Sequence, residues 1–287
     1  MKWVHDLVDL VVLDYRVHVR ASLYNLQTRR KYLDEYFEEI PPDNVTPLDI
    51  AGYKLWRRNK HNAAESTVNH ELCWLRRGFA LGKEQGWVEE VPKIQAYRIG
   101  NRNARSDFIP IEVLPDLLAE LPGDIRDVVE FSYHSGWRKG EVLSLTWEEI
   151  GNDMISLRPG KTKEGKRSLK GRARLLPRTG TIATVMSRRE HARSPSTDLV
   201  FHRNGKRIKT FRGAWKSATN RVGLKGVVFH ATRRSFITNA VQVAPQKTVM
   251  ELSGHMTPDV FSRYHIVRRE QLVESFNKIE DYVNQSR

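Results

Sequence analysis

The surplus positive charge of this chain lies entirely in its last two-thirds, and that asymmetry limits the fold more than any single motif. Residues 1 to 95 carry 14 Lys plus Arg against 14 Asp plus Glu, whereas residues 96 to 287 carry 34 against 20, which is the whole formal charge of +14. A break of this size falls beside the Pro-, Gly- and Asn-bearing stretch from Val91-Pro92-Lys93 to Asn103 and predicts a domain boundary there. At 287 residues the chain also exceeds what one hydrophobic core usually organises. The expected division is residues 1–95, a connector over 96–105, and residues 106–287.

A basic excess of this kind makes a polyanion the leading partner. A membrane is the weaker candidate, because the apolar run from Met1 to Leu13 is short and broken by His5, Asp6 and Asp9. The single cysteine, Cys73, excludes an intramolecular disulfide and a Cys-based zinc cluster, which fits a reducing cytoplasm; its spacing predicts a half-buried helical position.

The first 95 residues repeat apolar positions at helical spacing. Leu7, Leu10 and Val11 form one set, followed by Tyr32, Leu33, Tyr36, Phe37 and Ile40, then Ile50, Tyr53 and Trp56, then Val68, Leu72, Leu75 and Phe79. Breakers at Pro41-Pro42 and Pro47 separate them, which predicts a bundle of about four helices. Basic clusters interrupt this neutral domain at Arg29-Arg30-Lys31, Arg57-Arg58-Asn59-Lys60 and Arg76-Arg77. Each alone reads as an ordinary solvated helix face; gathered on one face they would hold phosphates.

The second part mixes helices with short strands. Arg126 to Ser135 has helical spacing, Ile155-Ser156-Leu157 and Ala173 to Leu176 read as strands, and Leu199-Val200-Phe201 before Asn204-Gly205 is a hairpin signal. The fold expected overall is mainly α with a small β component.

Phosphoryl transfer asks a protein to align the attack and to neutralise charge on nonbridging oxygens, a task suited to planar, permanently charged arginine. Arg138 follows an apolar helix within Ser135-Gly136-Trp137-Arg138, where a Gly stop and restart would push it off a helix end. Arg233 lies three residues after His230, so both project from one helical face. Between His255 and Tyr264 one continuous helix would put about 13 Å. Gly254 as a terminator and Thr257-Pro258 as a helix start predict a bend that brings the two residues together. A free phenol near pKa 10 is about one part in a thousand phenolate at neutral pH, a gap of about 4 kcal/mol that surrounding cations would narrow. The leaving oxygen needs a proton donor. From Arg158 to Arg178 nine residues are basic and only Glu164 is acidic, and charge alone does not choose among the lysines.

Taken in order, these residues resemble the tyrosine recombinase family of phage integrases. Gly136-Trp137-Arg138-Lys139-Gly140-Glu141 is similar to its first arginine box, His230-Ala231-Thr232-Arg233-Arg234 to its H-x-x-R box, and Leu252-Ser253-Gly254-His255 with Tyr264 to its G-H…Y box. Ser66-Thr67-Val68-Asn69-His70-Glu71-Leu72 looks like part of the family's core-binding domain. The resemblance implies a helical SAM-like, DNA-clamping domain followed by an α+β catalytic domain. It also implies roles: Arg138 and Arg233 clamp the scissile phosphate, His230 and His255 hydrogen-bond it, Glu141 buttresses the site, and Tyr264 forms a 3′-phosphotyrosyl link. Pro159-Gly160-Lys161-Thr162-Lys163 points to Lys163 as general acid, but the stretch from Lys163 to Pro177 is about six residues longer than the family pattern, so Lys161 and Lys170 stay open. Thr232 stands where leucine is commoner, a difference expected to affect packing.

On the same basis Arg29, Arg30, Arg57, Arg58, Lys60, Thr67, Asn69, Arg76, Lys161, Lys166, Arg167, Lys170 and Arg234 are candidates for contact with double-stranded DNA at core sites. The family reaction uses no metal or nucleotide cofactor, runs through a Holliday junction in a homotetramer, and can involve accessory DNA-bending proteins. Leu272, Phe276, Ile279 and Val283 repeat at helical spacing and would dock either on their own domain or on a neighbouring protomer. No amino-terminal arm-binding domain is visible, which suits either simple core sites or a shortened chain. A type IB topoisomerase and a noncatalytic DNA-binding relative are the competing functions.

Overall fold

A computed structural model describes residues 2–98, 107–158, 173–258, 261 and 269–285. The chain divides into two units, Met1–Asn103 and Ala104–Arg287.

Unit one contains four long helices: α1 (Val4–Val17), α2 (Leu23–Tyr36), α3 (Pro47–His61) and α4 (Glu65–Glu84). Local chemistry sets their ends. Thr46 caps α3 by accepting the Asp49 amide while Asp49 reaches back to the Thr46 amide, Pro47 opens the first turn, and Asn62 in the left-handed region closes the last. Val4, Leu7, Val8 and Val11 of α1 share one core with Leu72, Leu75 and Phe79 of α4 and Leu26 and Leu33 of α2. The segment after α4 stays attached to it: Asn69 donates to the Tyr97 carbonyl at 2.9 Å and accepts the Tyr97 amide at 2.7 Å, so residues expected to begin the connector still belong to the bundle.

This packing commits Arg57, Asn69 and Arg30, three of the expected DNA contacts, to the bundle itself. Arg57 is buried; its Nε and Nη2 donate to the two Glu71 carboxylate oxygens at 2.8 Å each, and its guanidinium lies 3.7 Å over the Tyr32 ring. Tyr53 donates to the same carboxylate at 2.8 Å, so Arg57 is a core residue closing a buried network. Asn69 is committed to the Tyr97 backbone. Arg30 pairs with Asp9 at 2.6 Å and Asp34 at 2.9 Å, which tie it to its own bundle. Arg76 bonds the Ile94 carbonyl. Lys60 pairs with Glu35 at 2.8 Å, an exposed bond easily exchanged for a phosphate. Arg58 is exposed, and Arg29 and Thr67 are half-buried. Cys73 is exposed, not half-buried as its spacing predicts, because it lies on the outer face of α4.

In unit two, α5 (Leu114–Ala119) and α6 (Gly123–Ser135) precede the short α7 (Lys139–Val142). The antiparallel strands β1 (Met154–Leu157) and β2 (Arg174–Pro177) follow, with Met154 opposite Pro177 and Leu157 opposite Arg174. Next come α8 (Gly180–His191), the two-residue strands β3 (His202–Arg203) and β4 (Lys206–Arg207), α9 (Arg212–Arg221), α10 (Ala231–Ala240), α11 (Gln246–Ser253) and α12 (Arg269–Gln285). Asn204 and Gly205, at φ +49° and +73°, make the turn between β3 and β4 that their dipeptide predicts. Val128, Val129 and Phe131 of α6 and Val185 and Met186 of α8 form the core with Trp137, Ile155 and Leu176, and α10 packs against α6.

A second anchor joins the start of this unit to α10. Arg234 is buried and donates to the Asp107 carbonyl at 2.9 Å and carboxylate at 2.7 Å, while Ser235 accepts the Ile109 amide. Arg234 is therefore a structural cation, and its expected DNA contact is withdrawn for the same reason as that of Arg57. On α12, Leu272, Phe276, Ile279 and Val283 are all exposed in the single chain. Among the described residues no helix is long and apolar enough to cross a membrane.

Candidate active site

Three turns build the site. The first begins where α6 stops at Gly136, whose φ of +66° is the left-handed conformation that a C-cap needs. A Cβ there would also fall 2.3 Å from Phe236, so both backbone and space require glycine. Trp137 then plunges into the core, its indole donating to the Leu252 carbonyl at 3.1 Å. The chain restarts at Arg138, whose amide donates to Glu141 Oε2 at 2.8 Å and whose Nη1 lies 3.1 Å from Oε1. Glu141 is buried while the Arg138 side chain is 44% exposed, so the carboxylate is a fixed base beneath a presented guanidinium.

The second turn places His230 at the N-cap of α10 and Arg233 in its first turn. Arg233 is fully buried. Its Nη1 donates to the Gly136 carbonyl at 2.7 Å and the Ser253 carbonyl at 2.5 Å, and its Nη2 lies 2.9 Å from His255 Nε2. A guanidinium without such partners would cost several kcal/mol to bury, and hydrogen bonds to a charged group return about 1.5–3 kcal/mol each. One arginine thus joins the first arginine box, the H-x-x-R box and the G-H turn.

The third turn ends α11 at Gly254, at φ +74°. His255 behind it is buried, with Nδ1 2.8 Å from Ser253 Oγ and its ring edge-on to Phe261 at 5.4 Å. Arg233 Nη2 lies 2.9 Å from Nε2 and 3.1 Å from Nδ1. Because Ser253 gives its own hydroxyl hydrogen to the Val249 carbonyl at 2.6 Å, the tautomer that satisfies both neighbours has Nδ1–H donating to Ser253 Oγ and the shorter Nε2 contact accepting from Arg233.

Burial, followed by the Arg233 and Arg138 charges, lowers His255 to about 3, and burial with Arg233, Arg234 and Arg138 lowers His230 to about 4. Both imidazoles are neutral at physiological pH. Burial alone would raise the Glu141 carboxyl, but Arg174 and then Arg138 override it and hold the group below the usual carboxylate range. The site therefore presents fixed arginine charge beside two neutral imidazoles, an arrangement that can hold a phosphate anion and supply hydrogen-bond donors and acceptors to it.

The structure brings together Arg138, Glu141, His230, Arg233 and His255. Tyr264, the lysine candidates Lys161, Lys163 and Lys170, and the basic residues Lys166 and Arg167 lie outside the described residues. Among the described residues no group of three or more His, Cys, Asp or Glu is placed to hold a metal ion.

Sequence reasoning missed Arg174, one of nine basic residues in a run. Its Nη2 lies 2.6 Å from Glu141 Oε1, its Nη1 donates to the Ser253 carbonyl at 2.9 Å, and its guanidinium lies 5.4 Å from the Trp137 ring. The signal was the two-residue period of a strand: Arg174 stands two positions before buried Leu176 and opposite buried Leu157, so it faces inward.

A model of the phage integrase family matches residues 110–271. A shufflon-specific DNA recombinase of Escherichia coli is 26% identical over 250 residues, which are 82% of this chain and 61% of that protein. This chain thus spans less than two-thirds of the length of that curated relative. Among solved structures, a lambda integrase (75–356) dimer bound to a COC′ core site matches with a TM-score of 0.69 at 15% identity, over 92% of this chain and 96% of that one. A Tn1549 transposon integrase in complex with a circular intermediate DNA matches with a TM-score of 0.71 at 14% identity, over 95% and 99%. A lambda integrase tetramer bound to a Holliday junction gives 0.70 at 13%, over 92% and 78%. At these identities the likeness establishes the fold.

Proposed function

Because this chain belongs to the phage integrase family of tyrosine recombinases, we propose that it is a site-specific DNA recombinase. It cuts and rejoins double-stranded DNA through a 3′-phosphotyrosyl intermediate at Tyr264. The observation that carries this reading is the position of Arg233, buried and bonded at once to Gly136, Ser253 and His255, which holds the three motif-bearing turns at one point. Arg138 and Arg233 bind the nonbridging oxygens of the scissile phosphate; His230 and His255 hydrogen-bond it and assist proton transfer. Tyr264 attacks phosphorus, the P–O5′ bond breaks, and Lys163 delivers the proton to the departing 5′ oxygen, with Lys161 and Lys170 as the other candidates. A 5′ hydroxyl from the partner duplex then attacks the phosphotyrosine and releases the phenol, so bond energy is conserved through the exchange.

Two structures of one similar protein, lambda integrase, as a dimer bound to a core site and as a tetramer bound to a Holliday junction, support exchange through that junction in a homotetramer. The exposed apolar face of α12 supports docking on a neighbouring protomer over docking on its own domain. Unit one is the core-binding domain, with Arg29, Arg58, Lys60, Thr67 and Arg76 as its remaining DNA contacts. In this reading it acts on DNA in the cytoplasm of a prokaryotic host.

The test uses DNA from the boundary of the element that carries the gene, where direct repeats mark the sites. A nicked duplex of that sequence traps a covalent adduct with the wild-type protein and none with Tyr264→Phe; an adduct persisting in that variant overturns the assignment. Exchange between two marked duplexes identifies a recombinase, whereas supercoil relaxation without exchange identifies the topoisomerase activity.

A further inference from the structure

The Glu141 carboxylate is shared by two guanidiniums of unequal exposure. Arg174, 10% exposed, approaches Oε1 at 2.6 Å, while Arg138, 44% exposed, approaches the same oxygen at 3.1 Å. The more buried pair interacts in the lower dielectric and couples more strongly. Arg174 also donates to the Ser253 carbonyl, which accepts from Arg233 as well, so two cations from different parts of the chain hold the residue two before His255. Its path is built into the fold: a Cβ on Gly254 would fall 2.6 Å from the Arg174 side chain, and Trp137 lies beneath the guanidinium.

We propose that Arg174 is a positioning residue for strand cleavage, which neutralises the buried Glu141 carboxylate so that Arg138 remains available to the scissile phosphate, and which ties β2 to the turn presenting His255. The inference rests on the reading of this site as one for phosphoryl transfer. One carboxylate between two guanidiniums leaves the Arg138–Glu141–Arg174 cluster with a net charge of +1, in addition to that of Arg233. Without Arg174 this cluster is neutral, and Glu141 draws Arg138 down in a two-oxygen grip. The charged groups facing Glu141 are Arg174 from β2 and Arg138 from the start of α7, with neutral His230 and His255 in the same field. The low carboxyl of Glu141, lowered most by Arg174, agrees with this geometry.

The experiment measures single-turnover adduct formation on the nicked duplex as a function of DNA concentration and pH. Arg174→Gln is expected to slow the maximal rate by about 10- to 100-fold, the range for residues acting through a neighbour, with a smaller change in DNA affinity. Arg174→Lys recovers part of the rate. The deciding comparison is Arg174→Gln with Glu141→Gln: the double variant removes the uncompensated carboxylate, keeps an acceptor for the Arg138 amide, and cleaves faster than Arg174→Gln alone. The ratio of Arg174→Gln to wild-type rate also rises as pH falls, because protonating the Glu141 carboxylate that has lost Arg174 releases Arg138. A ratio flat in pH together with a double variant no faster than the single one overturns the proposal and leaves Arg174 as packing. Should Arg174→Gln melt early, Arg174→Lys with and without Glu141→Gln carries the same comparison. A wild-type protein that forms no adduct on this duplex defeats the functional reading itself, and the role of Arg174 falls with it.

Discussion

Replacing Arg57 by methionine separates a DNA contact from a core residue. Glu71 is fully buried, and Arg57 supplies two of its three side-chain hydrogen bonds, the third coming from Tyr53. Removing one partner of such a pair leaves an uncompensated charge and costs about 3–5 kcal/mol, against a domain stability of about 5–15 kcal/mol. With a urea dependence of about 2 kcal/mol per molar, the unfolding midpoint of unit one falls by about 2 M. Hydrogen exchange read by mass spectrometry on the full chain assigns the loss to residues 47–84, with 107–158 unchanged. The complementary variant joins Arg57→Met to Glu71→Leu and Tyr53→Phe. Tyr53 is included because its hydroxyl would otherwise be orphaned at a further cost of about 1–3 kcal/mol. An apolar substitute for a buried ionic network is often as stable as the original, so the triple variant is expected to recover most of the loss. The reasoning is refuted if Arg57→Met leaves stability intact and instead weakens DNA binding with a salt dependence shallower by about one ion, the signature of a lost phosphate contact.

Four other outcomes follow from the same structure. His230 and His255 titrate near 4 and 3 when folded but near the ordinary 6.5 when unfolded, so the unfolded chain holds more protons between those values. Stability is complete above pH 6.5 and falls as pH drops toward 4 and then 3, by a few kcal/mol on the order set by linkage; denaturation at pH 7.5, 5.5 and 4.5 shows the slope, and His255→Asn reduces it. Gly136→Ala forces a Cβ against Phe236 in a left-handed turn and is expected to cost about 2–4 kcal/mol in thermal melts, with a larger loss of adduct because Arg233 bonds that carbonyl. Arg234→Met lowers stability through Asp107 while the salt slope of DNA binding stays unchanged. Leu272→Ser with Phe276→Ser leaves single-chain stability within about 0.5 kcal/mol, since both are exposed, and lowers assembly on DNA measured by sedimentation.

Periodicity carried the fold because each helix buries one stripe and each strand one face. The hairpin at Asn204-Gly205 and the stop at Gly254 were legible because left-handed turns restrict residue type. The site was legible as an ordered set of residue types, and Arg138, Glu141, His230, Arg233 and His255 do meet. Charge was the poor guide. Arg57, Arg58 and Lys60 are adjacent in sequence, yet one is a core residue, one is exposed and one is paired on the surface. What distinguishes them is the acid each meets, Glu71 or Glu35, and those partners come from other helices. Arg174 was hidden for the same reason: Glu141 lies far from it in sequence, and only strand alternation hints that it turns inward.

With both histidines neutral, the arginines supply the fixed positive charge of the site. Arg233, Arg138 and, at His255, Arg174 repel a further proton, and burial adds to the penalty. An imidazolium would strengthen phosphate binding in the ground state and the transition state alike, which lowers the Michaelis constant without accelerating the chemical step. A neutral imidazole keeps a donor and a lone pair on one ring. At His255 the lone pair faces Arg233 Nη2, so a phosphate oxygen that recruits Nη2 would free Nε2 to accept a proton. The charges of Arg233, Arg138 and Arg174 thus keep the basic face of His255 available at neutral pH. Weakening that field should therefore raise the titration of His255 and move the acid limb of adduct formation upward, an effect that Arg138→Gln would show and a distant surface substitution such as Lys225→Gln would not.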